Sequence, residues 1–245
     1  MKRAAVILAA GKGTRMPADK PKVMHEIEGK PMVIHVIDAI RGVFGSDIYV
    51  VVGYMAEQVV AACHNEDVEF VYQREQLGTG HAVLQCEDAL RDITGTVAVL
   101  NGDVPCLRTR TIEGFLDYHD SEAAAATVLT AVLENPTGYG RIVRAPDDSL
   151  LKIVEQKDAT SAEKKICEIN SGLFCFDKSP LFDALKSTDR DNAQNEYYLT
   201  DVIGVLKSRG EPVRAYCVAD PREVSGVNTE EELAAVRSYF EGLKR

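Results

Sequence analysis

Between Leu8 and Val23 the chain reads LAAGKGTRMPADKPKV, setting Lys12, Arg15, Lys20 and Lys22 around Gly11 and Gly13. An apolar run that ends in Ala9-Ala10-Gly11 lets backbone approach a ligand closely, and Gly13 permits a tight turn with its N–H exposed. Four cations add charge for an anion, and the Arg15 guanidinium can fork a phosphate as no lysine can. The stretch reads as an anion-binding loop. It is not a G-x-x-x-x-G-K-[ST] phosphate loop, and its G-x-G-x-x-Met lacks the third glycine of the dinucleotide fingerprint. The plain alternative is a glycine-rich surface turn with solvated lysines.

Three other places carry chemistry. YQREQLGTGHA holds Gln73 ahead of Gly78-Thr79-Gly80, which reads as a helix start whose N–H groups face an anion. Asp103, in VLNGDVP just beyond a strand, is a candidate metal ligand or simply a turn residue. Asn228 reads as a helix N-cap. His25, His35, His64, His81 and His119 show no zinc-type spacing, so satisfied or solvated imidazoles are the expectation.

These groups need a scaffold. Ala4 to Leu8, Ile48 to Val52, Val68 to Tyr72 and Val97 to Leu100 are short apolar runs rich in β-branched residues, as strands covered on both faces are. Between them lie helical patterns: one opened by Pro31 and stopped at Gly42, then Ala56 to Cys63, Thr79 to Leu90 and Thr111 to His119. The β-α-β order predicts a mostly parallel sheet with right-handed crossovers. After Ala123 longer strands and turns take over (AAAATVLTAVL, GYGRIV, LLKIVEQ, EINSGLFCFD), followed by helices at Tyr198 to Ser208 and Thr229 to Phe240, the last with a capping box to Glu231 or Glu232. The expected division is one domain with a first half at 1–122, a sugar- or substrate-facing half at 123–228 and a C-terminal helix at 229–245, the halves sharing one sheet.

Composition narrows the field. The 245 residues are 45% hydrophobic and 27% charged, with 28 Lys and Arg against 38 Asp and Glu, a net charge of -10. A broad nucleic-acid surface would oppose that global field, whereas a small anionic ligand needs only a local basic cluster. The six cysteines form no C-x-x-C pair and read as reduced, mostly buried thiols. Lys2-Arg3 before Ala4 to Ala10 imitates a secretory signal only faintly, and no apolar stretch approaches membrane-spanning length. A cytoplasmic protein with no nucleic-acid or membrane partner is expected.

The motifs LAAGKGTRM, PKVMHEIEGKPM, QLGTGHAV, GDVP, PTGYGRIVR, IVEQKDAT, EINSGLFCF, NEYYLTDVI and VSGVN, in that order, resemble those of the sugar-nucleotide pyrophosphorylases. In particular they are similar to the uridyltransferase domain of the bacterial bifunctional N-acetylglucosamine-1-phosphate uridyltransferase/glucosamine-1-phosphate acetyltransferase family. The resemblance covers essentially the whole chain, making 1–122 the nucleotide-binding half and adding the metal to 123–228. It implies a Rossmann-like, GT-A-like α/β nucleotidyltransferase: a three-layer sandwich with a mostly parallel central sheet and a smaller β-rich sugar-binding lobe. It also implies attack by a sugar 1-phosphate on the α-phosphorus of UTP with loss of pyrophosphate, a step toward peptidoglycan precursors. By resemblance Leu8, Ala9, Ala10, Gly11 and Gly13 line the nucleotide, Arg15 holds the departing pyrophosphate, and Lys22 bridges phosphates at the reacting centre. Gln73, Gly78 and Thr79 read uracil, Gly140, Glu155 and Asn170 hold the sugar, and Asp103 with Asn228 binds Mg2+. The family member compared carries tyrosine where this chain has Asn101, which leaves nearby sugar contacts open.

The bifunctional family continues into a left-handed β-helix of hexapeptide repeats that builds its trimer, and this chain has none. Acetyl transfer is therefore not expected, and a monomer or weak oligomer is. The reading that competes from another class is a non-catalytic nucleotide-sugar-binding module; within the class it is a glucose-1-phosphate uridylyl- or thymidylyltransferase.

Overall fold

Strand β1 (Ala4–Ala9) is buried on both faces, its Ala5, Ile7 and Ala9 packing into one core and Ala4 and Val6 into another. In the computed structural model, which describes residues 2–13, 15–17 and 19–243, this alternation makes β1 an interior strand of the sheet. Thr14 of the glycine loop lies outside the described residues. β1 pairs in parallel with β4 (Ile48–Val52) and β6 (Thr96–Asn101), and β4 pairs in parallel with β5 (Glu69–Tyr72).

The rest of the sheet is mixed. β7 (Ala126–Val132), β8 (Gly140–Arg144) and β9 (Leu150–Val154) precede the long β10 (Glu168–Asp177), and β11 (Val213–Cys217) closes the edge beside β7. The order is β11-β7-β10-β6-β1-β4-β5, with β8 and β9 branching from β10, nine strands in all. β10 runs antiparallel to β6, β7 and β8. Its start, Ile169 and Asn170, pairs with β8, and its end, Phe174 to Asp177, pairs with β6. The changeover falls at a bulge where Gly172 takes φ +79°.

Helices cover both faces. α1 (Met32–Phe44), α2 (Ala56–Ala62) and α4 (Thr109–Ser121) pack on one side; α3 (Thr79–Leu84), α5 (Lys178–Leu185) and α6 (Asp201–Ser208) pack on the other. The result is a three-layer α/β sandwich with a smaller antiparallel part, as the resemblance implied. A third, small cluster joins Met16, Ile27, Met32, Val227 and Leu233, so that α7 (Glu230–Leu243) clamps the two-stranded hairpin β2 (Glu26–Ile27) and β3 (Lys30–Pro31) against the glycine loop. The capping box on α7 is formed between Thr229 and Glu232, in both directions.

Several boundaries differ from expectation. α1 runs past Gly42 because Phe44 is buried in the core, and it stops at Gly45, whose φ of 59° and N–H bond to the Arg41 carbonyl close the helix. α3 ends at Leu84, where i→i+3 bonds (Cys86 to Val83, Glu87 to Leu84) replace the α pattern. α6 begins only at Asp201, because Tyr198, Leu199 and Thr200 form preceding turns. Helix α5 was not anticipated. Cys63, Cys86, Cys106 and Cys175 are buried and Cys167 and Cys217 exposed. Burial pushes the Cys63 and Cys86 thiols up to about 12, so they stay protonated and inert.

At the start of α6, burial and then the neighbouring Asp189 and Asp158 raise the Asp201 carboxyl to about 6, from an ordinary 3.8. A group whose folded pKa lies above its unfolded one stabilises fully below the lower value, and that contribution is lost as pH rises through the higher one. Asp201→Asn is therefore expected to raise the melting temperature at pH 8 and to lose that advantage between about pH 6 and pH 4. Parallel melting curves of parent and variant across that window check this; a constant offset would contradict the assigned cause.

Candidate active site

The carboxyl ends of β1, β4, β5 and β6 meet at one edge and are stitched by backbone bonds: Gly102 N–H to Leu8 C=O, Tyr54 N–H to Ala10 C=O, and Gln73 N–H to Val52 C=O. Ligands of open parallel sheets bind at this edge. The glycine loop that follows β1 turns back under Lys22. Gly13 sits at φ +67°, and a Cβ there would lie 2.7 Å from the Lys22 Cβ, so only glycine lets that side chain pass over the loop. Lys22 itself is held by Pro21 at the head of a 3-10 turn, Lys22–Met24.

The Lys22 ammonium is where the site converges. It donates to Asp103 Oδ2 and, at 3.0 Å, to Asn228 Oδ1. Asp103 follows β6, and Asn228 is brought to it across most of the sequence by one backbone bond, Val227 N–H to Asp103 C=O, 2.9 Å. Two oxygens of different residues thus aim at a single cation position, which the ammonium fills. A carboxylate and an amide oxygen are hard donors suited to Mg2+. Among the described residues no three or more His, Cys, Asp and Glu side chains gather to hold a metal. These two residues therefore fit an ion that takes its remaining ligands from substrate oxygens and water.

Two chambers meet at this point. One, of about 550 Å³, is lined by the Leu8 to Gly13 backbone, Gln73, Gly78 and Thr79. The other, of about 280 Å³, is lined by Gly140, Glu155, Asn170 and Thr200. Arg15, Lys22, Asn101, Asp103 and Asn228 border both. Every residue that the family resemblance assigned to nucleotide, sugar or metal lines one chamber or the other, whereas Lys20 of the cationic loop lines neither.

On the first side, Gln73 is buried, its amide nitrogen donating to the Gly78 carbonyl at 3.0 Å. Gly78 has φ +112°, and a Cβ there would fall 2.5 Å from the Tyr197 carbonyl oxygen, so the turn into α3 requires glycine. On the second side, the Gly172 N–H donates to Asn170 Oδ1 at 2.9 Å, which leaves the Asn170 amide nitrogen for a ligand. Burial raises the Glu155 carboxyl above the ordinary range, partly offset by a hydrogen bond from Thr200. Asn101 donates weakly to the Ser171 carbonyl at 3.4 Å, under the β10 bulge.

Sequence reasoning missed Thr200, whose place in a presumed helix hid its exposure to the chamber, and Arg141, which is 1% exposed. Arg141 donates to the Tyr139 carbonyl and, at 2.8 Å, to Gln156 Oε1, which also accepts from Gly138 N–H at 3.3 Å. It braces the Gly138 to Gly140 wall from behind. Arg141→Met takes this donor from the Tyr139 carbonyl and leaves Gln156 Oε1 with the Gly138 N–H alone, a loss of roughly 1–3 kcal/mol. The variant is expected to melt lower by several degrees and to bind the smaller-chamber ligand more weakly. Thermal melts with and without that ligand check both.

Solved structures share the architecture. A Bacillus anthracis protein described as a glucose-1-phosphate thymidylyltransferase, crystallised with sucrose, superposes with a TM-score of 0.73 at 18% identity over 97% of this chain and 94% of its own. HddC from Yersinia pseudotuberculosis, complexed with GMP-PN, gives 0.69 at 20% identity over 98% and 100%. Fold and cleft together are those of a nucleotidyltransferase domain. The chain belongs to the MobA-like NTP transferase family, whose model matches residues 5–171. It is similar to the bifunctional protein GlmU of Brevibacillus brevis, 50% identical over 236 residues, 96% of this chain and 51% of that protein. With GlmU of Halalkalibacterium halodurans it shares 51% identity over 232 residues, 95% and 51% respectively. The chain spans about half the length of these relatives.

Proposed function

We propose that the protein transfers a uridylyl group from UTP to N-acetyl-α-D-glucosamine 1-phosphate, releasing pyrophosphate and forming UDP-N-acetylglucosamine. The observation that carries this reading is the meeting of two chambers at one polar Lys-Asp-Asn-Arg junction. Such a cleft suits the joining of two phosphorylated substrates, one in each chamber. In this reading residues 1–122 contribute most of the nucleotide side and 123–228 most of the sugar side.

The nucleophile, a sugar phosphate oxygen, is already an anion at neutral pH, so the protein needs no general base. Its task is to align two polyanions and neutralise charge as pyrophosphate leaves in line. Lys22 bridges phosphates at the junction, and Arg15 stabilises the departing pyrophosphate. The Leu8 to Gly13 backbone and Gln73, Gly78 and Thr79 orient the nucleotide. Gly140, Glu155 and Asn170 offer a backbone amide, a carboxylate and an amide nitrogen, which fit hydroxyls and an acetamido group. Mg2+ held by Asp103 and Asn228 would supply charge for the phosphate oxygens.

We assign this activity to the cytoplasm; no described helix is long and apolar enough to cross a membrane. Pyrophosphate release with Mg2+ tests the reading, with UTP, dTTP, CTP and ATP each paired with N-acetylglucosamine, glucose and glucosamine 1-phosphates. Release fastest with UTP and N-acetylglucosamine 1-phosphate supports it. Faster turnover of glucose 1-phosphate would overturn the choice of sugar, and binding without release with every pair would make the protein a sensor.

A further inference from the structure

Gln73 offers its amide to the larger chamber, yet an amide can present either a donor or an acceptor. The structure shows what decides. Its nitrogen contacts two groups at once, the Gly78 carbonyl at 3.0 Å and His81 Nδ1 at 3.1 Å. A carbonyl can only accept, so the atom between them is the NH2, and it finds an acceptor at Nδ1 when His81 carries its proton on Nε2. Nε2 in turn lies 3.2 Å from the side-chain amide of Gln85, one helical turn on, and 81–85 share α3. The Gln85 nitrogen also donates to the His81 carbonyl at 3.2 Å, and since a neutral imidazole accepts at one nitrogen only, one of the two amides has to turn. Gln73 is buried and Gln85 half-buried, so we assign the turn to Gln85, which exchanges that bond for one from Nε2–H. The imidazole is held in place by stacking on Tyr197, centroids 6.3 Å apart, itself covered by Arg190.

We propose that His81 is a positioning residue for base selection, resting on the UTP reading above: it locks the Gln73 amide so that Oε1, and not the NH2, faces the base. One hydrogen bond, to Gly78, leaves the amide free to swing about it; the second, to His81, stops the swing. The Gly78 carbonyl alone holds less firmly because it also accepts the Ala82 N–H at 3.1 Å. An acceptor aimed into the chamber pairs with the N3–H of uracil or thymine. Cytosine places an unprotonated N3 there, which opposes acceptor to acceptor and leaves a buried polar atom unsatisfied. His81 touches no substrate in this scheme and acts through Gln73.

The test compares UTP and CTP binding by calorimetry on the full chain with Mg2+, in the parent, His81→Phe and His81→Asn. Phenylalanine keeps the ring and removes the acceptor, whereas the asparagine oxygen falls where Nδ1 was. The preference for UTP over CTP is expected to fall about 10-fold in His81→Phe, the size of one lost buried hydrogen bond, and to stay near the parent's in His81→Asn. Because each preference is a ratio within one protein, partial misfolding cannot imitate the result. A parent that prefers UTP with a His81→Phe variant that keeps the preference overturns the role of His81 alone. A parent with no preference overturns both this inference and the UTP reading. Equal loss in both variants would make His81 a packing residue only.

Discussion

Lys22→Ala is expected to lower kcat/KM for pyrophosphate release by roughly 10²–10³-fold, the cost of one charged group aimed at developing phosphate charge, with the fold intact. The side chain reaches the junction over Gly13 and borders both chambers, so its loss touches both substrates where they react. Its contacts, to Asp103 and Asn228, lie in a polar cleft and not in any of the three apolar clusters, which is why the melting temperature should stay close to the parent's. A second readout separates this role from simple packing. The ammonium fills the position at which the two oxygens aim, so the free variant should bind Mn2+ more tightly than the parent while turning over less. Tighter metal binding with weaker catalysis would establish the exchange; unchanged metal affinity would show that Lys22 does not compete there. Lys22→Arg should not restore the rate, because a planar fork cannot replace a compact ammonium between those two oxygens.

Asp103→Asn is expected to lose activity to a similar extent, by roughly 10²–10³-fold if charge at the junction is what matters, and to require more Mg2+ for what remains. The substitution keeps size and the backbone bond that Asp103 makes through its carbonyl to Val227, so it removes charge and little else. Asp103 is 7% exposed and sits at the end of a strand buried in the sheet, which makes the position itself rigid. Metal titrations of activity, run beside metal binding on the free protein, check the expectation. Full activity at the parent's Mg2+ requirement would remove Asp103 from the proposed metal pair and leave it as the partner of Lys22 only.

The elements that position these groups were legible in proportion to how local their causes are. β1, β4 and β6 announce themselves because both faces are covered, so the residues are almost all apolar, whereas β5, expected to be covered as well, lies at the sheet edge with Glu69 and Tyr72 exposed. The glycine loop was readable because its residue types have few other uses. Helix ends were less so: Gly42 was a reasonable stop by composition, but burial of Phe44 carries α1 past it. The pairing of Asp103 with Asn228 depends on a bond between distant segments, and it was accessible only through family resemblance. Arg141 and His81 were passed over for the same reason, since burial of one and the double hydrogen bond of the other arise only when distant strands and loops close around them. The antiparallel insertion of β10 is likewise a choice of partner, which periodicity does not encode.

That strand also sets a limit on how such a protein can be recombined. One strand of ten residues borders β8, whose Gly140 lines the smaller chamber, at its start and β6, the neighbour of β1, at its end. A chimera joined between the halves would therefore graft a new β10 onto an old β6, and the seam would run through a hydrogen-bonded ladder. Substrate range in this architecture is more readily changed by point substitutions around the bulge at Gly172 than by exchange of whole lobes, because there the two neighbours change places and Asn101 lies beneath.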